Sequence, residues 1–223
     1  MRMFNSDGSE AQMCGNGIRC VAKLAYELGL ICEEITTIET LSGIKTLKLN
    51  IVNGKVKTVE VDMGAPILEA TKIPVSSSVK IEDKKVKAEV KVKNKKIELT
   101  CVSMGNPHAV TFVNDIKNFK VAEYGPILEN ADIFPEKANI EFVEVVDKNN
   151  IKMRVWERGS GETLACGTGA CSSVVASSLN GYTDRKVNVQ LLGGNLEIEW
   201  KLNNHVHMTG PAVTVFKGEW IDE

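Results

Sequence analysis

A chain of 223 residues, 43% hydrophobic and 25% charged, has ordinary globular composition and the length for one large domain or two small ones. A net charge of −2 supplies no global field to draw nucleic acid or an anionic membrane, and no run approaches the ~20 apolar residues of a membrane-spanning helix. Residues 1–7 lack the apolar core of a secretory signal, so the six cysteines are expected as free thiols in a reducing compartment, the cytoplasm.

The first predicted element is a helix opening at Cys14-Gly15-Asn16-Gly17. Ile18, Val21, Ala22, Ala25 and Leu28 follow at three- and four-residue spacings, and Gly29 suits the position just past a helix end. Residues 45–52 and 55–61 flank Asn53-Gly54, the pair that a type I′ hairpin turn prefers. Residues 84–99 alternate Val86, Ala88, Val90 and Val92 against Lys87, Glu89, Lys91 and Lys93, which reads as a half-exposed hairpin turning near Asn94-Lys95. These lysines carry no interleaved aromatics, so they describe a solvated face and not a nucleic-acid surface. Residues 140–146 and 151–156 form another hairpin around residues 147–150. A second helix then opens at Cys166-Gly167-Thr168-Gly169, with no charged residue from 170 to 180, the pattern of a buried helix. A last hairpin joins 187–192 to 196–202 through Gly193-Gly194-Asn195.

The order Glu-x-x-x-Cys-Gly-x-Gly, helix, hairpin, Gly/Pro turn therefore occurs twice, led by Glu10 and Glu162. This predicts a duplicated unit with pseudo-twofold symmetry. A cysteine at a helix start meets unpaired N–H groups and the positive end of the helix dipole, which lower a thiol pKa and can also cradle a carboxylate. A matched pair of such thiols could serve both faces of one carbon. Neither Cys14 with Cys20 nor Cys166 with Cys171 has zinc-site spacing, so no metal is expected, and Cys20 and Cys171 read as packing residues. His205 and His207 share a strand face but have no third ligand, and no nucleotide-binding glycine pattern is present. Glu157-Arg158 could meet the ammonium and carboxylate of an amino acid, or form a surface ion pair at a strand end. Gly105-Asn106-Pro107-His108 reads as a turn ending an apolar strand.

The sequence resembles the diaminopimelate epimerases. The matching pieces are Phe4-Asn5-Ser6-Asp7-Gly8-Ser9-Glu10 through Cys14-Gly15-Asn16-Gly17-Ile18-Arg19-Cys20, then Met104-Gly105-Asn106-Pro107-His108, Asn139, and Glu157-Arg158-Gly159 through Glu162-Thr163 to Cys166-Gly167-Thr168-Gly169-Ala170. Proline racemases share the two-cysteine plan but resemble Cys-Gly-His-Gly at the first site, where this chain has Asn16. The resemblance implies an α+β fold of two pseudo-symmetric lobes, each a curved antiparallel sheet or barrel around a central helix. The expected lobes are 1–66 with 211–223, and 67–210. It implies cofactor-independent epimerisation of LL- to meso-diaminopimelate, for lysine and peptidoglycan precursors, in a homodimer. By the same resemblance Cys14 and Cys166 are the two acid/base residues, and Gly15, Asn16, Gly167 and Thr168 hold the reacting carboxylate. Asn5, Asn106, Asn139 and Arg158 hold the distal carboxylate, Glu157 meets the distal ammonium, and His108 and Glu157 tune the thiols. Alternatives are another epimerase of the proline racemase type, or a relative that only binds ligand. The family's usual upstream segment is expected to be missing before Asn5, leaving an unpaired sheet edge and, in a chain complete as it stands, an impaired enzyme prone to association.

Overall fold

The computed structural model describes every residue except Asn5, Ser6, Asp7, Ser9, Ser77, Ser78, Lys84, Trp220, Asp222 and Glu223. The chain divides into two compact units, Met1–Val61 with Thr209–Glu223, and Asp62–Met208. The boundaries expected at 66/67 and 210/211 fall a few residues beyond these.

In the first unit, helix α1 (Gly15–Glu27) precedes strands β1 (Ile35–Thr40), β2 (Gly43–Val52) and β3 (Lys55–Asp62). The β2–β3 turn is Asn53-Gly54, both at positive φ (52° and 71°), as the type I′ geometry requires. Helix α1 packs on β1 and β2. It buries Ile18 and Ala22, whereas Val21 and Leu28 of the expected apolar face are exposed, as are Leu24 and Cys20, the latter therefore no packing residue.

The second unit contains β4 (Lys80–Glu82), β5 (Lys85–Val92), β6 (Lys95–Ser103), β7 (Pro107–Phe112), α2 (Val121–Glu129), β8 (Asn139–Asp147), β9 (Asn150–Glu157), β10 (Gly161–Thr163), α3 (Gly167–Leu179), β11 (Lys186–Leu191) and β12 (Gly194–Trp200). Strand β13 (Val206–Pro211) returns the chain to the first unit. Its sheet runs β12-β11-β9-β8-β7-β6-β5-β4, with β10 sharing an edge of β9 with β11. The sheet is mixed and not antiparallel throughout, because β7 pairs β8 in parallel and β9 pairs β11 in parallel. Parallel neighbours need a long crossover. Here α2 lies in the first crossover and α3 in the second. The last hairpin turns at Leu192-Gly193, with Gly194 already paired to Leu191. His108 lies within β7 and not in the preceding turn.

Strands β7 and β8 are buried over most of their length, with α2 on one face of the sheet and α3 on the other. Ile140 and Phe142 of β8 join Leu99, Ala109, Val121 and Leu128 in the core under α2, and α3 packs on β6, β7, β8, β9, β11 and β12. Alternation along a strand then puts Glu141 on the α3 side of β8. Helix α3 is buried from Gly169 to Ser177, as its lack of charge predicts. Two of its hydroxyls are served locally: Ser177 donates to the Ser173 carbonyl at 2.7 Å, and Ser173 meets Met153 Sδ at 3.1 Å.

Helix α2 carries Gly125 and Pro126 in its interior. Glycine is required because α2 rests on the Trp156 indole: a Cβ at position 125 would stand 2.5 Å from Trp156 Cγ. Gly125→Ala is expected to cost ~1–3 kcal/mol through overpacking, read as a lower urea midpoint with unchanged m-value. A variant as stable as the parent would contradict this docking.

Candidate active site

Both motif cysteines are N-caps in almost the same backbone conformation, Cys14 at φ −135°, ψ 116° and Cys166 at φ −130°, ψ 115°. Each sulfur accepts from the N–H three residues on, Gly17 at 3.3 Å and Gly169 at 3.4 Å. Each cysteine carbonyl accepts the first intrahelical bond, from Ile18 and Ala170 at 2.9 Å. The N–H groups of Gly15 and Asn16, and of Gly167 and Thr168, are ones that intrahelical bonding cannot use. They point out of the helix start beside a sulfur, a geometry suited to an anion. Both helices also end alike, with an αR C-cap (Leu28, Asn180) and glycine at φ 71° or 72° (Gly29, Gly181).

The glutamates of the repeat have a structural task. Arg2 grips Glu10 through Nε at 2.7 Å and Nη2 at 3.0 Å, and Arg154 Nε reaches Glu162 at 2.7 Å. In each case the arginine lies eight residues before the glutamate, bracing the loop ahead of the cysteine against the preceding backbone. That backbone also repeats, since Phe4 bridges Glu10 as Trp156 pairs Glu162.

In the first unit, Arg19 is buried beneath Gly15-Asn16. Its Nη1 donates to the Gly15 carbonyl (2.9 Å), Nη2 to Asn16 Oδ1 (3.0 Å) and Nε to the Pro211 carbonyl (3.2 Å). A guanidinium's fixed fork thus orients Asn16, a role the residue-level reading had not assigned to Arg19. Asn5 lies outside the described residues.

The second unit gathers eight expected site residues at one end of its central strands. Register places His108 of β7 beside Asn139 of β8, and Ile140 opposite Trp156, so that Glu157 and Arg158 follow at the same end. Asn139 is buried and ties these segments together: Nδ2 donates to the Pro107 carbonyl and Oδ1 accepts from the Arg158 N–H, both at 2.9 Å. Asn106 Oδ1 meets His108 Nε2 at 3.0 Å. The Arg158 side chain is exposed and donates to the Glu136 carbonyl at 2.9 Å, while Glu157 accepts from the Thr163 hydroxyl.

Cys166 does not fit the expectation of a lowered thiol. Burial pushes it up, the Glu157 and Glu141 carboxylates push it further, and bonds from Thr168 and the Gly169 N–H only partly oppose them. Water exclusion outweighs the helix terminus here. Two acids that the motif reading passed over are part of this site. Glu129 is buried and accepts from Trp156 Nε1 (2.8 Å) and the Gly159 N–H (3.0 Å), clamping the Glu157-Arg158 stretch from behind. Glu141, fully buried, lies 2.7 Å from His108 Nδ1. His205 is held by Asp62 at 2.9 Å, and no group of three potential metal ligands occurs among the described residues.

The diaminopimelate epimerase family profile matches residues 1–69 and 100–215, which include all these site residues. The chain belongs to the diaminopimelate epimerase family. Its relatives include the diaminopimelate epimerases of Methanococcus maripaludis strain S2 and Acetivibrio thermocellus, each 56% identical over 98% of this chain and 78% of the relative. Among solved structures, a probable proline racemase from Agrobacterium radiobacter K84 superposes with a TM-score of 0.66 at 14% identity, covering 94% of this chain and 68% of that one. A putative phenazine biosynthesis PhzC/PhzF protein from Clostridium difficile gives 0.62 at 17%, covering 99% and 78%. The last two share the fold of this epimerase-family chain. Its α+β character, with three α-helices among the described residues, agrees with theirs.

Proposed function

We propose that this chain interconverts LL- and meso-diaminopimelate, with Cys14 and Cys166 as the two proton-transfer groups. The observation that carries this reading is the repeated N-cap: two helices, each starting with a cysteine whose sulfur lies beside unused N–H groups, within regions that match the family. The α-proton of an amino acid is barely acidic. Removing it requires stabilising negative charge on the neighbouring carboxylate, which N–H groups at helix starts can do without reorganisation. One sulfur takes the proton as thiolate, and the other, as thiol, delivers a proton to the second face. The elevated proton affinity of Cys166 suits it to the thiol role. Gly15, Asn16, Gly167 and Thr168 cradle the reacting carboxylate. Asn5, Asn106, Asn139 and Arg158 hold the distal one, while Glu157 meets the distal ammonium.

Turnover of diaminopimelate places the chain in the supply of lysine and peptidoglycan precursors. Six free cysteines favour a cytoplasmic setting, no helix among the described residues is long and apolar enough to cross a membrane, and we infer a homodimer as its assembly. Incubation with LL-diaminopimelate in D₂O tests the reaction. Deuterium should enter the α-carbon as the meso isomer accumulates; exchange of proline in its place, or of neither, would overturn the assignment.

A further inference from the structure

The strand that delivers Asn139 also buries a carboxylate for which the proposed reaction has no use so far. Glu141 is wholly inaccessible. One oxygen meets His108 Nδ1 at 2.7 Å, while Oε2 has no hydrogen-bond partner among the described residues. A buried acid left half satisfied costs stability, and its neighbours Ile140, Phe142 and Val143 show what this strand otherwise selects.

Its location explains the carboxylate. Glu141 Oε1 stands 2.8 Å from the point where a Cβ on Gly169 would be, and the Cys166 sulfur stands 3.3 Å from that same point. Carboxylate and sulfur therefore flank the bare α-carbon of Gly169, within the ~6 Å over which one charge governs a neighbour's ionisation. The first repeat differs here. At the equivalent Gly17, the atoms nearest an added Cβ belong to Cys14 itself and to the thioether of Met3, at 3.5 Å, with no acid among them.

We propose that Glu141 is a positioning residue for Cys166: its charge, set behind the sulfur and braced by His108, holds the thiol protonated in the resting protein, so that Cys166 is the sulfur that starts as proton donor. The inference rests on the two-cysteine reading above. The groups facing this sulfur are Glu157 from the end of β9, Glu141 from β8 with His108 of β7 behind it, and the Thr168 hydroxyl and Gly169 N–H of α3. Burial, Glu157 and Glu141 all raise its proton affinity. The same carboxylate acts on Cys101 of β6, which burial first and Glu141 second push up to about 12.

The test is the pH profile of alkylation at each cysteine, read by isotope-coded iodoacetamide and mass spectrometry on the folded protein. Glu141→Gln keeps the shape of the side chain and removes its charge. Cys166 alkylation near neutral pH should rise about ten-fold in that variant, one pKa unit, while Cys14 is unmoved and Glu141→Asp stays near the parent. A change below about two-fold at Cys166, or an equal change at Cys14, would overturn the proposal. Should Glu141→Gln fail to fold, the parent decides: Cys166 must react with a midpoint above that of Cys14, and equal midpoints refute the asymmetry. Neither measurement needs substrate. A Cys166 profile that moves in a protein without α-proton exchange would sink the epimerase reading and leave Glu141 its role. Normal exchange with an unmoved profile would do the reverse.

Discussion

Cys14→Ala and Cys166→Ala should each abolish inversion of diaminopimelate, with a fall in epimerisation of at least ~10²–10⁴-fold, the usual worth of a positioned acid or base. The two variants should nevertheless differ in what survives. A protein with one remaining sulfur can remove a proton from the face it serves and return deuterium to that face. Slow deuterium uptake without inversion is therefore expected, in one isomer for Cys14→Ala and in the other for Cys166→Ala. Nuclear magnetic resonance of each isomer in D₂O, with chiral chromatography of the product, separates exchange from inversion. Inversion persisting in either variant would refute a two-sulfur reaction, and uptake into the same isomer in both would refute the division of faces. The N-cap bonds predict little loss of stability alongside: each is a single long bond from an N–H to sulfur, at 3.3 and 3.4 Å.

Glu129→Ala should produce the second large effect, in stability and in substrate affinity together. Two donors lose their acceptor at once, the Trp156 indole N–H and the Gly159 N–H. Both bonds are only partly buried, so each is expected to cost about 1 kcal/mol when lost. The Gly159 bond also fixes the turn carrying Glu157 and Arg158, which hold the distal end of the substrate in the proposed reaction. KM should therefore rise more than kcat falls, because the reacting carbon is handled by the cysteines. Glu129→Gln keeps one carbonyl acceptor and should recover part of both losses. Steady-state kinetics with urea unfolding checks this; a variant with parental stability and unchanged KM would show that Glu129 is no clamp.

Much of this site was legible in the residues alone, and for definite reasons. The N-caps, the C′ glycines and the Asn53-Gly54 turn are local devices, set by side-chain reach and backbone φ within a few positions, so the pattern suffices to find them. Helix α2 was missed because its sequence contains Gly125 and Pro126, both poor helix formers. Its docking against Trp156 is a tertiary contact that requires the glycine. The parallel pairs were missed because they depend on where a crossover returns, which alternation along a strand does not encode. Glu129 and Glu141 resemble ordinary acids at a helix end and in a strand. The available signal for Glu141 was a lone carboxylate inside the run Ile140-Glu141-Phe142-Val143, whose strand is buried on both sides. For the Arg2–Glu10 and Arg154–Glu162 braces the signal was stronger, since both partners recur at identical spacing within the repeat already recognised.

The two capped helices have the same length, 13 residues, and the same ends, but not the same surroundings. Helix α3 is enclosed by six strands, whereas α1 rests on two and leaves Val21, Leu24 and Leu28 exposed. Their backbone amides should accordingly lose protons to solvent by different routes. Those in the middle of α3 can open only when its whole unit unfolds, so their exchange should follow global stability and accelerate with added urea. Those of α1 should exchange through local fraying that urea hardly changes. Native-state hydrogen exchange would then read one backbone design, copied twice in a single chain, as two separate thermodynamic clocks.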